Sequence, residues 1–213
     1  MSTPRATRPT ASAGVAGMLL TPGAGTTADH PGLLAVEAAV APLPVQRMDF
    51  PYRLAGRKAP DRAPVLVEAV RAGAMAFAES LHVGTDRLVL GGRSMGGRMC
   101  SMAVAEGLPA AALVLICYPL HPPGKPESLR TAHLPALNVP CLFVSGTRDA
   151  FGTPAELEAA TATIPGPVTH VWIEGAGHDL KKADATVAEA VVAFLTSLAT
   201  PPAPVRAPRR RQG

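Results

Sequence analysis

Between residues 15 and 199 short apolar runs alternate with longer stretches whose apolar positions recur at helical spacing. The runs predict strands at Gly17–Thr21, Val45–Phe50, Arg87–Gly91, Ala112–Cys117, Val139–Ser145 and Val168–Ile173. Several are nearly continuous in hydrophobic residues, the pattern of strands covered on both faces of a parallel sheet. Helices are predicted around Pro31–Val40, Ala63–Leu81, Met95–Glu106, Pro154–Ile164 and Ala183–Leu198. In the last of these Val187, Ala190, Val191 and Phe194 make an i, i+3, i+4, i+7 stripe. Alternation of this kind predicts one α/β domain over 15–199, a mostly parallel sheet of about six or more strands with helices on both faces. Residues 1–14 and 200–213 carry Pro, Ser, Thr and Arg without periodicity and read as disordered tails. Residues 118–138, with five prolines, are too short and irregular for a substantial cap domain.

Charge changes this picture little. The net charge is +4, but six arginines (Arg5, Arg8, Arg206, Arg209, Arg210 and Arg211) lie in tails without a single acid, leaving the body near −2. With aromatic residues at 4%, neither a nucleic-acid surface nor a base-stacking platform is expected. The longest apolar run near the start, Val15 to Leu20, is too short for a signal-peptide core, and no run reaches a membrane span. Cys100, Cys117 and Cys141, an odd number set in apolar runs, read as reduced core thiols of a cytoplasmic protein.

Chemistry concentrates in two glycine-rich turns. VLGGRSMGGR, residues 89–98, has the glycine spacing of a phosphate-binding loop, but Gly97 and Arg98 stand where Lys and Ser/Thr belong. Gly23-Ala24-Gly25-Thr26-Thr27-Ala28 matches a dinucleotide fingerprint after the first strand, with Asp49 ending the next; Asp29-His30-Pro31 then delays the helix that should meet the pyrophosphate. Short motifs of this kind recur by chance, so dinucleotide binding through Gly23-Ala24-Gly25 is the weaker alternative. Gly92-Arg93-Ser94-Met95-Gly96 meets G-x-S-x-G, the strand-to-helix elbow that exposes a nucleophilic serine and tolerates only small residues two positions to either side.

A serine nucleophile needs a base and an orienting acid. Asp149 follows the apolar run VPCLFV, and His178 follows VTHVWI in the loop EGAGH. Ser94, Asp149 and His178 thus fall in the order nucleophile, acid, base, each after a strand, where parallel sheets place their sites. Each has a bland reading, as a turn serine, a cap for the helix near Pro154 and an exposed loop histidine; the joint order is what carries the chemistry. The elbow mechanism assigns the oxyanion hole to the backbone N–H groups of Met95 and Ala24. Gly23, Gly25, His30, Tyr118 and His121 are candidates for the pocket rim, and the cationic loop Pro51–Arg62 for its far border. No pair of His, Cys or carboxylate residues has a metal-ligand spacing, and no cofactor is expected.

TPGAGTTADHP, MDFPYRLAGRKAPDR, GGRSMGGRMCS, YPLHPPGKPE, GTRDAFGTP and GAGH together resemble the small α/β-hydrolase-fold proteins called dienelactone-hydrolase-like, over residues 15–199. The resemblance implies an α/β-hydrolase fold, with Ser94, Asp149 and His178 as nucleophile, acid and base, and turns Gly23-Ala24-Gly25 into an oxyanion loop. It implies a serine esterase acting on a small-molecule ester. Distant relatives include a non-catalytic subunit of a histone acetyltransferase complex, so a catalytically silent scaffold is the alternative from another class. Pro22-Gly23 replaces the family's frequent His-Gly, the fold's usual leading strands have no counterpart before Gly17, and the nucleophile is serine where dienelactone hydrolases proper use cysteine.

Overall fold

The computed structural model describes residues 14–199, so the predicted tails lie outside the described residues except for Gly14. The Gly14 carbonyl is held by the Arg87 guanidinium, from Nη2 at 2.9 Å and Nε at 3.1 Å. Six strands form one all-parallel sheet: β1 (Gly17–Thr21), β2 (Val45–Arg47), β3 (Leu88–Arg93), β4 (Ala112–Ile116), β5 (Cys141–Gly146) and β6 (Val168–Ile173), in spatial order β2-β1-β3-β4-β5-β6. The helices are α1 (Pro31–Val40), α2 (Pro51–Leu54), α3 (Ala63–Ser80), α4 (Met95–Ala105), α5 (Pro154–Thr161) and α6 (Asp184–Ala199).

The near-continuous hydrophobic runs are explained by burial on both sides. In β4, Leu113 and Leu115 face a core made with α3, α4 and α5, while Ala112, Val114 and Ile116 face one made with α1 and α6. β5 repeats the alternation, Cys141 and Phe143 against Leu142 and Val144.

Two departures from expectation lie near the loop after β1. β2 ends at Arg47, three residues before its predicted limit. Met48 N–H still reaches the Leu20 carbonyl, but the Asp49 carboxylate turns away to accept the Ala28 N–H at 2.8 Å. Pro51, lacking an N–H, then opens α2 inside the segment read as a loop. Residues 118–138 form no helical cap; Leu120, Leu134 and Leu137 anchor them to the core as a strap.

The sheet order reverses at the β1/β3 boundary, leaving a crevice beyond the carboxyl ends of those strands. The loops after β1 and β3 meet there.

Candidate active site

Ser94 sits between β3 and α4 at φ 51°, ψ −117°, a conformation that strains any residue with a Cβ. It occupies the N-cap of α4 without making a side-chain cap, so its Oγ is free for another partner. The flanking glycines are required sterically. A Cβ on Gly92 would run into the Thr21 carbonyl, and one on Gly96 would come within 2.5 Å of the Pro22 carbonyl.

Three side chains singled out in the sequence meet across the carboxyl edge of the sheet. His178 Nε2 stands 2.9 Å from Ser94 Oγ, and His178 Nδ1 stands 2.8 Å from Asp149 Oδ2. The Asp149 side chain is 1% exposed and that of His178 23%. Asp149 Oδ1 also accepts the Phe151 N–H at 2.8 Å, and the Phe151 ring stacks on the imidazole at 4.0 Å between centroids. Asp149 therefore caps no helix: Thr153 closes α5 with a capping box to Glu156. With Nδ1 facing a carboxylate, the neutral ring carries its proton there and turns a lone pair on Nε2 toward Ser94.

The loop after β1 lies against the serine, a Cβ on Gly23 being 3.6 Å from Ser94 Cβ. The Gly23 carbonyl accepts from Thr26 N–H at 3.2 Å and Thr26 Oγ1 at 3.3 Å. In a trans peptide this turns the Ala24 N–H to the opposite side. Tyr52 Oη donates to the Ala24 carbonyl at 2.9 Å and Arg53 Nε to the Thr26 carbonyl at 3.2 Å, so α2 fastens this loop from outside. Met95 N–H, at the first position of α4, has no intrahelical acceptor. Among the described residues neither N–H meets a protein acceptor, and both residues line the same cleft of about 450 Å³. Ser94, His178, Gly23 and Gly25 line it as well. A larger groove of about 680 Å³ between α1 and α6 is walled by alanines, Val192 and a single polar residue, Glu189, and brings no set of polar groups together.

Three rim candidates are corrected. Tyr118 is buried, its ring packed edge-on against Phe143 and its hydroxyl bonded to the Arg130 carbonyl at 2.8 Å. His121 is buried beside its own strap, Nδ1 against the Pro122 carbonyl and Nε2 at 3.7 Å from Glu156, beyond hydrogen-bond reach. His30 caps α1 by accepting the Gly32 N–H at 3.0 Å and turns Nε2 to the Arg93 guanidinium at 3.4 Å, outside the cleft wall. Burial first, and Arg93 second, lower its affinity for a proton. Nor do the cations of 51–62 border the cleft: Arg57 pairs with Asp61 through both nitrogens, at 2.7 and 2.9 Å.

The cleft residues missed in the sequence are Thr26, Arg93, Arg98, Arg130 and Phe151. Arg98 was accessible to reasoning, being one helical turn beyond Ser94 on α4. Arg130 gives no such signal, lying in an irregular strap far along the chain. Cys117 Sγ, Asp149 and His178 offer ligand-type atoms within 4.8 Å of one another. Both imidazole nitrogens are already engaged, and burial pushes the Cys117 thiol up to about 12, so this trio does not make a thiolate metal site. The dinucleotide alternative also fails locally, because Asp49 is tied to Ala28 N–H and His30 covers the α1 N-terminus.

Known proteins match this geometry in fold. A family model described as alpha/beta hydrolase domain matches residues 14–196. Est1E from Butyrivibrio proteoclasticus superposes with a TM-score of 0.71 at 15% identity, over 87% of this chain and 89% of its own. An alpha-beta serine hydrolase homologue from Coxiella burnetii gives 0.67 at 19%, over 85% and 86%. The monoacylglycerol lipase of Paleococcus ferrophilus gives 0.68 at 14%, over 87% and 96%.

Proposed function

From the premise that this chain belongs to the alpha/beta hydrolase domain family, we propose that it is a serine hydrolase of small, unhindered acyl esters. The observation that carries the reading is the continuous path from Ser94 Oγ to His178 Nε2 at 2.9 Å and from His178 Nδ1 to Asp149 at 2.8 Å. Ser94 is held in a strained conformation that leaves its hydroxyl pointing at that base rather than at the helix.

The chemistry runs in two halves. Ser94 Oγ attacks the ester carbonyl as His178 Nε2 takes its proton, and Asp149 stabilises the imidazolium. The N–H groups of Met95 and Ala24 bind the oxyanion of the tetrahedral intermediate. His178 returns the proton to the departing alkoxide, the C–O bond breaks, and an acyl group stays on Ser94. Water then attacks the acyl carbon, giving its proton to His178; collapse releases the acid and restores the serine.

Acyl length is limited by what covers the cleft. The strap 118–138 is anchored by Leu120, Leu134 and Leu137 in the core and contributes Pro119 and Arg130 to the wall, not an enclosing apolar tunnel. Three buried cysteines, none in a disulfide, suit a reducing, cytoplasmic setting.

The reading is tested with 4-nitrophenyl acetate, butyrate and palmitate, using the wild type and Ser94→Ala. Short esters should be cleaved far faster than palmitate, and the variant should lose at least about a thousandfold in kcat. Preference for palmitate would refute the open-cleft argument; cleavage of no ester by a folded wild type would favour a scaffold.

A further inference from the structure

Three arginines open on the cleft that holds Ser94, and no carboxylate lines it. Arg93 is committed, its Nη2 to the His178 carbonyl and its Nη1 facing His30. Arg98 and Arg130 are different. Among the described residues neither has an ion pair. Arg98 Nε is buried with no hydrogen-bond partner, and Nη1 reaches only the Met102 thioether at 3.7 Å. Arg130 Nη1 has one long contact, to the Pro119 carbonyl at 3.4 Å.

Three effects work against the charge on Arg98. Burial removes water from it, and Arg130 stands close enough to repel it; together they pull its guanidinium below its usual range, burial being the larger cause. Its position in the first turn of α4 also sets it at the positive end of the helix dipole. Buried guanidinium groups are ordinarily paired. Packing alone gives no reason for a cation here, since an apolar side chain of similar length would fill the space without these penalties. An oxyanion between the two guanidiniums would relieve all three effects at once.

We propose that Arg98 and Arg130 form an oxyanion subsite, and that the preferred substrate is a short acyl ester bearing a carboxylate or phosphate. The proposal rests on the serine-hydrolase reading of Ser94. Arg98 N–H donates to the Ser94 carbonyl at 3.1 Å, so the Arg98 backbone lies one helical turn beyond Ser94, and the Arg98 and Arg130 side chains line the same cleft of about 450 Å³ as the nucleophile. A substrate with its carbonyl at Ser94 Oγ therefore places its anion within that same cleft. Arginine suits this task because its planar fork donates two parallel hydrogen bonds to carboxylate or phosphate.

The test compares matched esters within each protein. Mono-4-nitrophenyl glutarate is set against 4-nitrophenyl butyrate, and 4-acetoxyphenyl phosphate against 4-methoxyphenyl acetate. The wild type should favour the anionic member of at least one pair about tenfold to hundredfold in kcat/KM, the value of charge-assisted hydrogen bonds. The better pair identifies the group as carboxylate or phosphate. Arg98→Gln and, separately, Arg130→Gln should collapse that ratio toward one. Because the ratio is internal to each protein, a general loss of activity cannot imitate it. If either variant fails to fold, the other reads the same ratio. Equal rates within both pairs for the wild type, or an unchanged ratio in a folded variant, overturn the subsite while leaving the hydrolase reading intact. Were no ester cleaved at all, calorimetry of glutarate and inorganic phosphate on the wild type and Arg98→Gln decides the subsite alone: wild-type binding lost in the variant supports it, and no binding overturns it.

Discussion

The Arg93 guanidinium donates to the His178 carbonyl at 2.5 Å, so the residue directly before Ser94 holds the loop that supplies Ser94 with its hydrogen-bond partner. Nucleophile and base are thereby tied by a second link, independent of the 2.9 Å bond between their side chains. Arg93 is buried, and loss of its guanidinium leaves the His178 carbonyl unpaired. Arg93→Met should lower stability by about 1–3 kcal/mol, the penalty for such an orphaned group. It should reduce kcat about tenfold or more with little change in KM, because the base is displaced while the cleft remains. Denaturant titration and steady-state kinetics measure the two effects; a rise in KM at constant kcat would assign Arg93 to substrate binding instead.

How much of this was legible in the sequence follows from which signals are local. Short apolar runs, several nearly continuous, marked all six strands, because each is stated within a handful of residues. The elbow and the order Ser94, Asp149, His178 were legible because each residue follows its own strand. Tyr118 and His121 were misread: being polar and close to a strand end does not distinguish facing the cleft from facing the core. The links Arg93–His178, Tyr52–Ala24 and Asp49–Ala28 join segments distant in the chain, and no local pattern encodes them. The early end of β2 is of this kind, decided by where one carboxylate finds an N–H.

Strain at Ser94 has a thermodynamic signature. At φ 51° a Cβ is crowded, and glycine is not. Because Ser94 makes no side-chain cap, its replacement loses none. Ser94→Gly should therefore be more stable than Ser94→Ala by about 1 kcal/mol, both being inactive. Thermal unfolding of the pair measures this, and an alanine variant of equal or greater stability would show that no strain is stored there.

Close approach of β1 to the elbow is tested by Gly92→Ala. The added methyl meets the Thr21 backbone carbonyl, which cannot move without breaking the sheet. Stability should fall by about 2–3 kcal/mol, as for an overpacked core site. Gly25→Ala is the control, since nothing lies within 4 Å of a Cβ there, and its denaturation midpoint should scarcely change.

Acid should weaken the fold through His133. Burial, and secondarily Arg98, pull this imidazole from 6.5 down to about 4, while its Nε2 stays bonded to Ser101 Oγ at 2.8 Å. The unfolded chain accepts a proton below about pH 6.5 that the folded protein refuses until about pH 4. Its contribution is thus fully present above the unfolded value and is lost as pH falls through that window. After allowance for partial exposure, the loss is on the order of 2 kcal/mol. Urea midpoints from pH 7 to 4 should decline more steeply for the wild type than for His133→Asn. Parallel slopes would show that His133 takes up its proton equally in both states.

The central claim is that Ser94 becomes acylated with His178 as its base, and peptide mapping after a fluorophosphonate reaction tests it most directly. The account predicts one adduct per chain, on Ser94, with labelling slowed strongly in His178→Ala and abolished in Ser94→Ala. An adduct on any other residue, or undiminished labelling of either variant, would contradict it.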